Sequence, residues 1–115
     1  YDDPKNLFVA TFLGTPPINV LEGRVADGKV YIGDEVVMNV TGVEDQEVYI
    51  GIRPEGIEPA ENGVLTCDLK NVEVMGRDAS VVSGHTNAIT PVVRAIISSD
   101  IKVDATAQTI KFNIV

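Results

Sequence analysis

The chain has 115 residues, 44% of them hydrophobic and 23% charged, with a net charge of −8. This composition is typical of one folded domain, and no apolar run is long enough to cross a bilayer. An acidic surface repels phosphate backbones and the nine basic residues are scattered, so nucleic acid is a poor partner for this chain. The single Cys67 has no partner for an internal disulfide, which suits the cytosol.

A short helix is predicted at the start of the chain. Asp3 is a suitable N-cap, Pro4 suits the first helical position, and Gly14 suits a left-handed C-terminal cap. Residues at helical spacing lie between them: Leu7, Phe8, Thr11 and Phe12. Because a helix of about two turns is marginal alone, its two phenylalanines are expected to pack against a larger body.

After Ile18 the sequence predicts many short β-strands, which indicates a sandwich or small barrel. The predicted strands are residues 20–26, 29–32, 36–38, 48–53, 65–74, 79–83, 92–97, 101–103 and 109–115. Asp27-Gly28 predicts a type I′ hairpin turn between the first two strands. A one-residue slip in alternation after Leu69 predicts a β-bulge. Residues 54–63 are rich in turn formers, and we expect a surface loop there.

One segment nearly matches a phosphate-binding P-loop. Residues 23–30 read Gly-Arg-Val-Ala-Asp-Gly-Lys-Val, with Val30 where the motif needs a serine or threonine to hold Mg²⁺. Asp27 would place a negative charge inside the phosphate cradle, and the following residues predict a strand where the motif needs a helix. A hairpin turn is therefore predicted here in place of an ATP site.

His85 is the only histidine, so with one cysteine the chain cannot build an ordinary His/Cys zinc site. Ser80, Ser83 and Asp78 lie near it in sequence, but proximity along the chain does not make a catalytic triad. We expect His85 to be a solvated turn residue.

Three glutamates, Glu55, Glu58 and Glu61, lack the ligand pattern of a calcium loop and are interpreted as a solvated acidic face. Met38 and Met75 are expected in the core. No catalytic, cofactor-binding or metal-binding residue is predicted, so the chain is not expected to be an enzyme.

Three segments resemble the region that follows the ATPase domain in maltose-type and other sugar ABC importers. Residues 4–19 are similar to a lead-in helix followed by a Gly-x-Pro-Pro-x-Asn entry into a regulatory barrel. Residues 51–55 match a Gly-Ile-Arg-Pro-Glu signature, and residues 72–78 resemble a Glu-x-Leu-Gly-x-Glu segment. The residues carried over, as structural or interface positions, are Phe8, Phe12, Gly14, Pro16, Pro17, Asn19, Gly51, Ile52, Arg53, Pro54, Glu55, Glu73 and Gly76.

The resemblance implies an all-β fold, namely an OB-like, MOP-like transport-associated β-barrel with one short N-terminal helix. Residues 1–17 would be the lead-in helix and linker from an absent ATPase domain, and residues 18–115 the regulatory barrel. Residues 84–109 match only as a pattern of strands. Because the chain stops at Val115 in mid-strand, truncation of the barrel is expected.

The implied function is regulation and dimerisation of the ATP-hydrolysing subunit of a sugar importer at the cytoplasmic face of the membrane. ATP and Mg²⁺ would bind in the ATPase domain, and this chain would need no cofactor. The implied partners are a second copy, permease subunits reached through the ATPase domain, and regulatory proteins. Residues 54–63 and the strands near Arg77 are both candidates for the dimer contact.

Two other functions are compatible with a small barrel. A free-standing sensor of an oxyanion or a sugar is the first alternative, although an oxyanion site wants a concentration of positive charge that the sequence lacks. The second alternative is an OB-type nucleic-acid binder, which would need a basic groove with stacking aromatic residues. The sequence does not specify which sugar a parent transporter would carry.

Overall fold

The computed structural model describes the backbone of residues 7–10 and all of residues 19–115. Within these residues the chain forms ten antiparallel strands and a 3-10 turn at Pro54–Gly56. The strands are β1 Leu7–Ala10, β2 Asn19–Ala26, β3 Lys29–Ile32, β4 Glu35–Asn39, β5 Gln46–Ile52, β6 Ile57–Pro59, β7 Leu65–Met75, β8 Asp78–Gly84, β9 Val93–Ser98 and β10 Thr109–Ile114.

The strands form two five-stranded sheets that share one hydrophobic core. The first five strands make a sheet in the order β1-β5-β2-β3-β4, and the last five a sheet in the order β6-β10-β7-β8-β9. Alternating residues of both sheets point inward, and Phe112, Leu21 and Ile50 are among the largest fully buried side chains. In the second sheet the two edge strands β6 and β9 contact each other. The sheet is therefore a nearly closed, OB-like barrel, and the all-β prediction is confirmed.

Two local predictions, the hairpin turn and the β-bulge, are confirmed. Asp27 and Gly28 have φ angles of 51° and 73°, and Ala26 pairs with Lys29, as a type I′ turn requires. The P-loop-like segment is therefore a hairpin. The register of β7 against β8 shifts between Leu69 and Asn71, which places the predicted bulge there.

The predicted N-terminal helix is wrong over Leu7–Ala10, which form strand β1. Leu7 pairs with Ile52 and Phe8 pairs with Gly51 of β5. The outer edge of β5 supplies a hydrogen-bonding partner that the local sequence does not reveal, and Leu-Phe-Val suits a strand. Sheet pairing outweighs a helix too short to be stable alone. The rest of the predicted helix lies outside the described residues.

The strand predicted at residues 101–103 is also wrong. The Ile101 N–H donates to the Ser98 carbonyl at 3.0 Å, which makes a turn. Asp104 then accepts from the Thr106 N–H at 3.0 Å and forms a second turn. Apolar alternation over three residues does not by itself provide a neighbouring strand.

The segment 54–63 is more ordered and more buried than the predicted surface loop. Ile57 is only 1% exposed and belongs to the core, and β6 pairs with β10 through Pro59 and Phe112. One apolar residue among acidic ones gave too weak a signal for a strand. The predicted acidic face is confirmed, since Glu55, Glu58 and Glu61 are all exposed.

Candidate functional site

The structure places the predicted family-motif residues in two regions of the fold. One region is the junction where the two sheets meet, and the other is the β7–β8 hairpin. Phe8 lies in β1, and four of the residues lie outside the described part of the chain, namely Phe12, Gly14, Pro16 and Pro17. The first region connects the two sheets, and the second is a hairpin tip that is exposed to solvent.

Asn19 connects the two sheets at the start of β2. Its side chain is fully buried; its Nδ2 donates to the Arg94 carbonyl at 2.8 Å, and its Oδ1 accepts from the Arg94 N–H at 2.7 Å. Arg94 lies on β9 and donates through its guanidinium to Ser80 Oγ at 2.6 Å. One amide side chain thus satisfies two backbone groups of the other sheet, as a buried amide must.

The segment between β8 and β9 extends this junction along β2. The Glu22 N–H donates to the Asn87 carbonyl, and the Ile89 N–H to the Val20 carbonyl, both at 2.8 Å. Leu21 and Ala88 form an isolated bridge. The part of the β2 edge that does not pair with β3 is therefore covered by residues 87–89.

The Gly-Ile-Arg-Pro-Glu segment is the corner at which the chain leaves the first sheet for the second. Gly51 and Ile52 are buried at the end of β5, and Ile52 pairs with Asn19. Pro54 is buried and begins the 3-10 turn, in which the Gly56 N–H donates to the Arg53 carbonyl at 2.9 Å. The fixed φ of proline suits such a turn. This turn packs against β9, so the corner and the Asn19 junction lie on the same side of the barrel.

The second region is the tip of the β7–β8 hairpin. Met75 pairs with Asp78, and Gly76, with a φ of 66°, begins the two-residue turn. Glu73 is exposed and accepts from Asn71 Nδ2 at 3.1 Å. Val74 is 70% exposed and Met75 is 54% exposed, so the prediction that Met75 lies in the core is wrong. Two adjacent apolar side chains therefore face solvent.

One groove of the described surface is lined by acidic residues and does not favour an anion. This groove of about 350 Å³ lies beside Glu22, Glu47 and Tyr49, and its two carboxylates would repel an oxyanion. Within residues 19–115, no three His, Cys, Asp or Glu side chains are grouped so that they could hold a metal ion.

His85 is expected to make the stability of the junction depend on pH. It is half-buried, and its Nδ1 accepts from the Asn87 N–H at 2.9 Å. Burial lowers the pKa of His85 below its ordinary value, although Glu35 and Asp68 oppose this shift. The unfolded chain therefore binds the proton more readily than the folded one. Stability should be full above about pH 6.5 and should fall as the pH drops through the interval between that value and the lower folded pKa.

Urea unfolding between about pH 5 and 7 tests this expectation, since aspartate and glutamate titrate mostly below that range. The wild type should lose stability toward pH 5. The His85→Gln variant should show a flatter pH dependence because the chain has one histidine. Equal slopes for the two proteins would contradict the assignment.

Cys67 is expected to be chemically inert in the folded chain. Burial, together with smaller contributions from Glu35 and Asp68, raises the pKa of its thiol to about 12, against a lowering hydrogen bond from Ser83. Because the thiolate is the nucleophile, labelling by a thiol reagent at about pH 8 should be at least 10²-fold slower than in urea. Equal rates in buffer and in urea would contradict this burial.

The comparisons with known proteins agree with this fold. The family described as the CysA C-terminal regulatory domain matches residues 19–58, which include β2, the Gly-Ile-Arg-Pro-Glu corner and the entry to β6. An sn-glycerol-3-phosphate import ATP-binding protein, UgpC of Jannaschia sp. (strain CCS1), is 34% identical over 87 residues, covering 74% of this chain and 25% of that protein. The chain belongs with the C-terminal regulatory domains of importer ATPase subunits.

Further relatives of this regulatory domain have similar names. The oligosaccharides import ATP-binding protein MsmX of Bacillus subtilis (strain 168) is 29% identical over 103 residues, covering 76% of this chain and 28% of that protein. The diacetylchitobiose uptake system ATP-binding protein MsiK of Streptomyces coelicolor (strain ATCC BAA-471 / A3(2) / M145) is 40% identical over 68 residues, with coverages of 53% and 18%. The chain spans between 18% and 28% of these relatives' lengths. No helix in the described part of the regulatory domain is long and apolar enough to cross a membrane.

Sequence reasoning missed several residues that hold the regulatory domain together. Arg94 interrupts an otherwise apolar run, and such a charge within a buried strand is a signal for a polar network. Glu35 of β4 accepts from the Thr66 N–H at 2.7 Å and from Thr66 Oγ1 at 2.8 Å, which connects the sheets at a second place. Nothing local in the sequence marks that pair.

Proposed function

We propose that this chain is the regulatory and dimerisation domain of the ATP-hydrolysing subunit of an ABC importer for sugars. The observation that carries the proposal is the alignment with UgpC, which covers 74% of this chain but only 25% of the relative. A segment of that proportion leaves room for a separate ATPase domain. Two further relatives have names that specify saccharides, which supports a sugar or a sugar-like compound as the cargo.

In this proposal the chain does no chemistry. ATP and Mg²⁺ bind in the ATPase domain of the parent, and the regulatory domain needs no cofactor. Its role is to couple sites by contacts that persist while the ATPase domains open and close. The rigid inter-sheet connections at Asn19 and Glu35 suit a domain that transmits position.

The proposed partners follow from that role. A second copy of the subunit makes a twofold contact, the permease is reached through the ATPase domain, and regulatory proteins bind the exposed surface. The parent therefore lies in the cytoplasm against the inner face of the membrane.

Sedimentation equilibrium of the isolated chain tests the dimerisation role. We expect a weak, reversible dimer at concentrations approaching about 1 mM, because in the parent the contact is supplemented by other subunits. A chain that stays monomeric throughout this range would contradict the proposed role.

An assay of ATP hydrolysis on the same sample should show no activity, and measurable turnover would overturn the assignment of chemistry to another domain.

A further inference from the structure

Within the described residues, strand β7 has an open edge over its distal half. It pairs with β10 only from Leu65 to Asp68, and the Leu69 N–H still donates to the Gln108 carbonyl at 3.0 Å. From Asn71 to Met75 it pairs with β8 on one side, and among the described residues no strand lies on the other side. Unpaired N–H and C=O groups along such an edge are a template for another strand.

The side chains along this open edge divide into two faces. Val72 and Val74 alternate onto one face, and Glu73 and Met75 onto the other. Val74 and Met75 are the two most exposed large apolar residues of the described chain, at 70% and 54%. The remaining edges of the second sheet, β6 and β9, contact each other, so they are not open in the same way.

We propose that two copies of this chain join by antiparallel pairing of the open β7 edges about a twofold axis at Val74. The inference rests on the proposed dimerisation role and specifies the surface that performs it. Val74 then lies opposite Val74 of the second copy, and Met75 lies opposite Glu73. The short ladder and the net charge of −8 on each copy are consistent with weak association.

Charge repulsion and steric hindrance rule out the other possible positions of the axis, which fixes the register of the two β7 strands. An axis at Glu73 would put two glutamates directly opposite each other, which is destabilising. An axis at Val72 would drive the second copy's hairpin turn toward residue 69, whose N–H is already paired with Gln108. An axis at Met75 would leave almost no extended residues to pair, because Gly76 begins the turn.

The remaining register is complementary in charge as well as in shape. With the axis at Val74, Arg77 of one copy lies diagonally across from Glu73 of the other, and this pair occurs twice. Diagonal neighbours on adjacent strands lie within reach of long side chains. On the opposite face, Val72 meets only Gly76 of the second copy, so the valines form a small apolar cluster around the axis.

A cysteine at the axis tests this geometry directly. Residues directly opposite in an antiparallel pair have Cα atoms about 4.5–5.5 Å apart, which lies within the range that a disulfide spans. Val74→Cys should therefore form a covalent dimer under mild oxidation. Cys67 is buried, so the wild type provides a background with little cross-linking.

Two matched variants make the result specific. Ile89→Cys places a thiol on a residue that is 43% exposed elsewhere on the surface, and Glu73→Cys places one a single residue away from the axis. Both should cross-link at least about tenfold more slowly than Val74→Cys, because the proposed dimer brings only the two axis residues within the distance that a disulfide spans. Equal rates for Val74→Cys and Ile89→Cys would overturn the proposed surface.

A measurement without cross-linking distinguishes the proposed β7 surface from the more general proposal that the chain dimerises. In sedimentation equilibrium, Val74→Lys should weaken the wild-type dimer by at least about tenfold, since two ammonium groups would meet at the axis. A dimer that persists unchanged in Val74→Lys would overturn the β7 surface and leave the proposed function intact. A wild type that is monomeric at every concentration would overturn both.

Discussion

Replacing Asn19 with alanine is expected to lower the free energy of unfolding by about 2–3 kcal/mol. The substitution removes both hydrogen bonds to the Arg94 backbone and leaves that N–H and carbonyl without their buried partner. It also leaves a small cavity, because the Asn19 side chain is fully buried. Urea unfolding followed by far-ultraviolet circular dichroism measures the change.

Asn39→Ala is the matched control because Asn39 is exposed near the end of β4. It should change stability by no more than about 0.5 kcal/mol. Asn19→Asp should fail to restore stability, since a carboxylate oxygen would replace the Nδ2 donor and face the Arg94 carbonyl. If Asn19→Ala were as stable as Asn39→Ala, the junction would not hold the two sheets together.

Replacing Gly63 with alanine should destabilise the fold by about 3 kcal/mol, the upper end of the usual cost of overpacking. A Cβ at this position would lie 2.6 Å from each of the Phe112 backbone N, C and O atoms. Phe112 pairs with Pro59 on one side and Leu65 on the other, so its backbone cannot move away without disrupting β10. The steric overlap between the new Cβ and the Phe112 backbone therefore cannot be relieved by a small local shift.

Gly76→Ala provides the comparison for this prediction. Gly76 has a φ of 66°, and no heavy atom lies within 4 Å of a Cβ built there. Its replacement should cost about 1–2 kcal/mol from backbone strain alone. A Gly63→Ala protein no less stable than Gly76→Ala would show that β10 can shift.

The parts of the fold that could be predicted are those with a local cause. The Asp27-Gly28 turn has both positive φ angles within one dipeptide, and the bulge after Leu69 appears as a slip in alternation. Strand β1 could not be predicted, because its partner β5 begins at Gln46 and only tertiary pairing reveals it. The same limit applies to segment 54–63, where a single buried isoleucine is placed by contact with the second sheet.

The sequence could predict which residues belong to the candidate site, but not the contacts that they make. The resemblance selected Asn19, but its partner Arg94 is 75 residues away, and no local pattern connects them. Glu73 and Gly76 were selected in the same way, whereas the exposure of Val74 and Met75 depends on where β10 stops pairing with β7. Such contacts are set by the topology of the two sheets.

The nucleotide sequence of the reading frame upstream of the Tyr1 codon shows directly whether this domain belongs to an importer ATPase subunit. We predict that the frame continues back through an ATPase domain with a complete Gly-x-x-x-x-Gly-Lys-[Ser/Thr] phosphate-binding loop. A frame that begins just before Tyr1, with no ATPase attached, would contradict the assignment of this chain to an importer ATPase subunit.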